Sequence, residues 1–136
     1  MGLDQYAYAK DKNGETEHLV DWRKHNRLQG YMEQLWEDKG RPFDGELDDN
    51  PMGDFNCVPV ELTLTDLEQL EAVITQKDMP ETGGFFFGSD SYSWTKEDGK
   101  PYEDGDYYYK ETDLQFISDA YKAIAQGKKV FYSSWW

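Results

Sequence analysis

The side chains best suited to chemistry lie between Trp22 and Trp36, in WRKHNRLQGYMEQLW. Trp22 and Trp36 offer ring faces, Arg23 a planar cation, His25 an imidazole, and Asn26 and Gln29 two amides. Together they suit a pocket that stacks a flat or sugar-like ligand and fixes it with hydrogen bonds. A structural role competes with this reading. His25 and Gln29 would then be satisfied core groups, and Arg23 would sit in a surface ion pair.

The element expected to carry these residues is an amphipathic helix. At about 100° per residue, Trp22, His25, Leu28, Tyr31, Met32, Leu35 and Trp36 share one half of the wheel. Arg23, Asn26, Arg27, Glu33, Gln34, Glu37 and Asp38 fall on the other. His25 sits at the centre of the apolar half, and Gln29 lies between the two tryptophans. A buried polar group without a partner costs about 1–3 kcal/mol, so each must close an internal network or line a cavity.

Other chemistries fit less well. No G-x-x-x-x-G-K-[ST] and no strand-linked G-x-G-x-x-G is present, and Gly83-Gly84 falls between an expected helix and an expected strand, the wrong order for a phosphate cradle. The run Asp48–Asp54 resembles half of a calcium loop, but the third ligand position holds Met52 and the twelfth Pro59. His18, His25 and Cys57 lack the short spacing of a transition-metal site, so no metal and no cofactor are expected. Cys57 as a nucleophile would need the fold to bring it to His25. With 28 acidic residues, paired carboxylates are inevitable and carry no information.

Composition narrows the partners. Lys and Arg number 14 against 28 Asp and Glu, a net charge of −14. That disfavours nucleic-acid binding through a basic surface and docking on anionic membranes. A lone cysteine precludes an internal disulfide and suits a reducing compartment. The opening MGLDQYAYAKDKNG has no apolar signal region, and no run reaches the roughly 18 apolar residues of a membrane span, which points to a cytoplasmic protein. Ten Tyr, seven Phe and five Trp make rings the main core material.

Taken in order, Leu3–Lys10 reads as a strand and Asn13-Gly14 as a hairpin turn with positive φ at both central positions. The return strand is Glu15–Val20, and Asp21 caps the first helix, which ends near Lys39 with Gly40 in the left-handed position. A loop spans Arg41–Asn56, and Cys57–Leu62 is a strand that Pro59 confines to an edge or to a start after it. Thr65 and Glu68 form a capping box for a helix whose stripe is Leu67, Leu70, Val73 and Ile74. Phe85–Phe87 suggests a buried strand, Thr112 and Gln115 a second box, and Gly127 a helix stop before the strand VFYSSWW. The order β-β-α-β-α-β-α-β over residues 1–136 predicts a single α+β domain, a mixed or antiparallel sheet packed on about three helices. Compactness argues that the terminal strands lie side by side.

The segments MGLDQY, WRKHNRLQGYMEQLW, FNCVPVELTLTDLEQLE, MPETGGFFFG and VFYSSWW together resemble a family of small proteins from bacteriophages, cyanophages included, and some bacteria. The resemblance runs end to end. This chain departs from the family's MGLDMY start at Gln5, and it has Met79 where the family has Leu. The resemblance implies a phage-encoded protein in the cytoplasm of an infected cell and no particular activity. The acidic surface, with Tyr107-Tyr108-Tyr109 and Trp135-Trp136, favours an accessory protein that binds a host or phage protein. The alternative is a small-ligand binder or enzyme with a pocket of Trp22, Arg23, His25, Asn26, Gln29 and Trp36. Whether the protein is an enzyme, and whether it pairs as a dimer through an aromatic edge strand, the pattern leaves open.

Overall fold

The computed structural model describes residues 3–41, 58–80, 91–103 and 105–135. The elements are β1 (Asp4–Lys10), β2 (Thr16–Arg23), α1 (Asn26–Asp38), β3 (Val60–Leu62), α2 (Leu64–Gln76), α3 (Lys110–Ala125) and β4 (Lys129–Trp135), with a 3-10 turn at Ser91–Ser93. Among the described residues the sheet has four antiparallel strands in the order β2-β1-β4-β3. This is the α+β sandwich the pattern predicts. The terminal strands do pair, from Asp4 opposite Trp135 to Lys10 opposite Lys129.

All three helices pack on one face of the sheet. Along β1, Gln5, Ala7 and Ala9 are buried while Tyr6 and Tyr8 are only partly covered, the period of two of a strand with unlike faces. Ala7, Ala9, Val60, Leu62, Val130 and Tyr132 meet Leu28, Met32 and Trp36 of α1, Leu67, Leu70 and Ile74 of α2, and Phe116, Ile117, Ala120 and Ala123 of α3 in one core. Each large apolar side chain buried there contributes about 1.5–3 kcal/mol. Tyr6, Tyr8 and Phe131 face the other way and do not belong to that core.

Several boundaries differ from the expected ones, each for a local reason. The first turn has positive φ at Gly14 only. The Asp11 carboxylate accepts from the Asn13 and Glu15 amides at 2.9 and 3.0 Å, and Gly14 N–H donates to Asp11 O at 3.1 Å, so the side chain selects an Asx-type turn. The return strand runs on to Arg23, with Trp22 opposite Gln5, and α1 starts only at Asn26. Trp22 and Arg23 are strand residues because pairing with β1 outweighs helical periodicity. Lys24, at φ 56°, turns the chain and donates from its amide to Leu3 O. Asp21 therefore caps nothing. The register slips between Ala7 and Tyr8, where Val20 and His18 are successive partners and Leu19 is the extra residue of a bulge.

At the other boundaries, Gly40 (φ 88°) and Gly127 (φ 84°) end α1 and α3 as expected. The box of α2 is Thr63 with Asp66, not Thr65 with Glu68, and Asp66 also holds Lys39 Nζ at 2.5 Å, tying α2 to the end of α1. α3 begins at Lys110, ahead of Thr112, with Asp113 N–H already bonded to Tyr109 O at 2.8 Å. β3 begins after Pro59 at the sheet edge. The loop from residue 42, Cys57 and the Phe85–Phe87 strand lie outside the described residues. Among those described, no helix is long and apolar enough to cross a membrane.

Candidate functional site

A polar network is buried under the sheet where β1, β2, α1, the 3-10 turn and α3 meet. Its centre is Asp113, one turn before Phe116 and Ile117 on the buried face of α3. Its Oδ1 accepts from Trp22 Nε1 at 2.8 Å, and its Oδ2 accepts from Tyr107 OH at 2.6 Å and pairs with His25 Nε2 at 2.8 Å. Three donors converging on one buried carboxylate meet most of its acceptor capacity. With Nε2–H donating to Asp113, Nδ1 of His25 is left to accept from the Ser91 hydroxyl at 2.9 Å. The His25 ring is also sandwiched, 4.8 Å from the Tyr109 ring and 6.0 Å from that of Tyr107.

A second branch holds the backbone of His25. Gln5 Nε2 donates to His25 O at 2.9 Å and to Tyr132 OH at 2.8 Å, and Gln5 Oε1 accepts from His25 N at 2.8 Å. Tyr132 OH donates onward to Gln29 Oε1 at 2.7 Å. Asn26 Oδ1 accepts from Ser91 N at 2.9 Å, so α1 grips the 3-10 turn through both backbone and side chain. Burial drives the Tyr107 hydroxyl's pKa upward, and the charge of Asp113 adds to the rise. Burial raises that of Tyr132 as well, partly opposed by its bond from Gln5. Both phenols therefore act as neutral donors. Gln29 Nε2 has no partner among the described residues.

Of the six residues in the expected pocket, the fold joins Trp22, His25, Asn26 and Gln29 in this network and leaves two apart. Trp36 is buried at the far end of α1, and the Arg23 side chain is 69% exposed, 4.0 Å from Asp4. His25, Asn26 and Gln29 are fully buried. Four surface grooves among the described residues are lined by none of the six.

Ser91, His25 and Asp113 have the hydrogen-bond order of a nucleophile, a base and an orienting carboxylate. The serine is bonded to Nδ1 and the aspartate to Nε2, the reverse of the usual assignment. All three side chains are buried, and Asp113 is shared with Trp22 and Tyr107. With Tyr132 of β4 in its second branch, the network fixes six elements to one another. Among the described residues, no group of three or more His, Cys, Asp or Glu could hold a metal. Sequence reasoning missed Asp113, Ser91, Gln5 and Tyr132; it took Tyr107 as an exposed ring beside Tyr108 and Tyr109, whereas Tyr107 is buried on Asp113, and Trp136 lies outside the described residues. Asp113 carried a readable signal, since it precedes Phe116, Ile117 and Ala120 at helical spacing and so lies on the apolar stripe. Gln5 carried one too, alternating with Leu3, Ala7 and Ala9.

A second aromatic feature lies at the end of the sheet where β1 starts. Tyr109 OH donates to Arg23 O at 2.9 Å and accepts from Arg23 N at 3.0 Å. Arg23 opposes Asp4, which opposes Trp135 on its other side, so Arg23 and Trp135 stand about 10 Å apart across that end of the sheet. Tyr108 and Trp94 pack on Tyr109 at 4.9 and 5.6 Å. Trp135 and Tyr108 are each 51% exposed. Comparison with protein-family models, curated proteins and solved structures found no match.

Proposed function

We propose that this protein is a phage-encoded accessory protein that acts by binding a host or phage protein, and that the rim of Trp135, Tyr108 and Tyr109 is its docking surface. The observation that carries this reading is the half exposure of Trp135 and Tyr108 at one end of the sheet. Such rings bring large apolar area and a polar edge at low entropic cost, which is why Trp and Tyr anchor interfaces. A net charge of −14 favours a basic partner surface. The burial of His25, Asn26 and Gln29 in the core weighs against the competing pocket. The test is a tagged pull-down from infected bacteria read by mass spectrometry, with Trp135→Ala and Tyr108→Ala alongside. A protein enriched by the wild type and lost by both variants supports the reading. No enrichment over the control tag would sink it.

The enzyme alternative retains one specific observation, the Ser91–His25–Asp113 chain. Covalent labelling by a fluorophosphonate, abolished by Ser91→Ala, would favour it. An unlabelled protein retires it.

A further inference from the structure

The outer face of the sheet carries a feature that neither the core nor the aromatic rim uses. Tyr6, Tyr8 and Phe131 form a continuous stack, with ring centroids 6.0 and 5.4 Å apart and planes inclined by 25° and 18°. Beside it, towards the β1–β2 turn, lies a groove of about 410 Å³ lined by Tyr6, Tyr8, Lys10, Gly14, Thr16 and His18. Thr16 opposes Lys10 and His18 opposes Tyr8, so a hydroxyl and an imidazole stand across the groove from the rings.

Two lysines stand beside this groove in an acidic molecule, while His18 on its other wall pairs with Asp21 at 3.2 Å. Lys10 and Lys129 are direct partners across β1 and β4, and neither has an ion-pair partner among the described residues. Like charges placed directly opposite each other destabilise a strand pair. In a chain with twice as many acids as bases, an acid opposite Lys10 would have been the stabilising choice. Nearby Lys128 shows the ordinary solution, bound to Glu17 at 2.8 Å. Lys10 lines the groove, its Cε 3.9 Å from where a Gly14 Cβ would stand, and Lys129 opposes it one strand over, so two cations flank the site and favour an anion attached to a flat ring.

We infer that this groove binds a nucleoside monophosphate. The base would lie against the Tyr6–Tyr8 rings, the phosphate between Lys10 and Lys129, and the sugar hydroxyls within reach of Thr16 and His18. The groove suits one nucleotide, being near the lower end of the roughly 300–1,000 Å³ of small-molecule sites. Charge decides between one nucleotide and a polymer. Screening over about 8 Å lets a single phosphate feel mainly the two lysines, whereas a longer strand must lay further phosphates over a surface of net charge −14.

The test is a titration of the ¹⁵N-labelled full chain with AMP, GMP, CMP and UMP, with adenosine, inorganic phosphate and an eight-residue oligothymidine as separate probes. At least one nucleotide should shift the amide signals of Lys10, Thr16, His18 and Phe131 and bind at least tenfold more tightly than adenosine or phosphate. Lys10→Gln with Lys129→Gln should weaken it at least tenfold. Both lysines lie on the open face of the sheet and the change removes a like-charged pair, so a thermal midpoint at or slightly above the wild-type value is expected and certifies the fold. The inference is overturned if none of the four nucleotides binds, if adenosine binds as tightly as AMP, or if the double variant retains full affinity. Tighter binding of the oligothymidine overturns the restriction to a single nucleotide. The pull-down variants leave Lys10 and Lys129 untouched, and the lysine variants leave Trp135 and Tyr108 untouched, so the two results are distinguishable.

Discussion

The two faces of one sheet treat polar groups in opposite ways. On the inner face, Asp113 is surrounded by Trp22, His25 and Tyr107, and Gln5 is bonded through both ends of its amide. On the outer face, Lys10 and Lys129 confront each other with no acid between them. Solvent accounts for the difference. An unpaired buried charge costs several kcal/mol, so the inner face contains charge only where donors have been assembled for it. In water, two opposed ammonium groups cost only tenths of a kcal/mol, so the outer face can hold an unfavourable pair for another purpose. Polar residues inside therefore report on architecture, and unsatisfied charge outside reports on binding.

The sharpest way to break that contrast is to remove the inner acceptor. Asp113→Ala leaves the indole N–H of Trp22, the Tyr107 hydroxyl and His25 Nε2 without their shared partner. The expected loss is about 3–5 kcal/mol in urea unfolding, a large fraction of the stability of a domain this size. His25→Leu, which keeps the volume but cuts the link from Ser91 to Asp113, should cost less, about 2–3 kcal/mol. A loss below about 1 kcal/mol for Asp113→Ala would mean that the network is not what fastens α3 to the sheet.

Alkaline pH strains the same face more gradually. Burial pushes Tyr92 up to about 12 and drives Tyr107 and Tyr132 upward as well. The unfolded chain releases phenolic protons at its ordinary value of 10.0 while the folded chain retains them, so the unfolded state binds fewer protons above that pH. Stability is then fully present below pH 10 and falls as pH rises towards 12. Phenolate absorbance followed against pH should show a late step coincident with the loss of circular dichroism. A single step near 10 for all tyrosines would contradict the burial of Tyr107 and Tyr132.

The two faces were also unequally legible in the sequence. The α+β class, the stripe Leu67, Leu70, Val73 and Ile74, and the stops at Gly40 and Gly127 follow from periodicity and backbone conformation, which are local properties. The join between β2 and α1 was misread because Trp22 fits a helix wheel and a strand alternation equally well. Pairing with Gln5, a residue distant in sequence, decides between them. His25 and Gln29 were recognisable as polar residues on an apolar face, but their partners Asp113 and Tyr132 lie far along the chain. Similarly, the opposition of Lys10 and Lys129 exists only once the first and last strands are aligned.

That opposition provides the finest test of the contrast. Lys129→Glu converts the like-charged pair with Lys10 into an opposite-charged one on an open strand face. Relief of repulsion and a new cross-strand attraction should together raise stability by about 0.2–1 kcal/mol, shrinking as salt is added. The same substitution reverses half of the charge offered to the proposed phosphate, so nucleotide binding should fall at least tenfold. Opposite signs of change in stability and binding are the signature of a residue retained for what it binds. If the unfolding midpoint drops instead, the lysine pair is satisfied in some other way and the outer face loses its exceptional status.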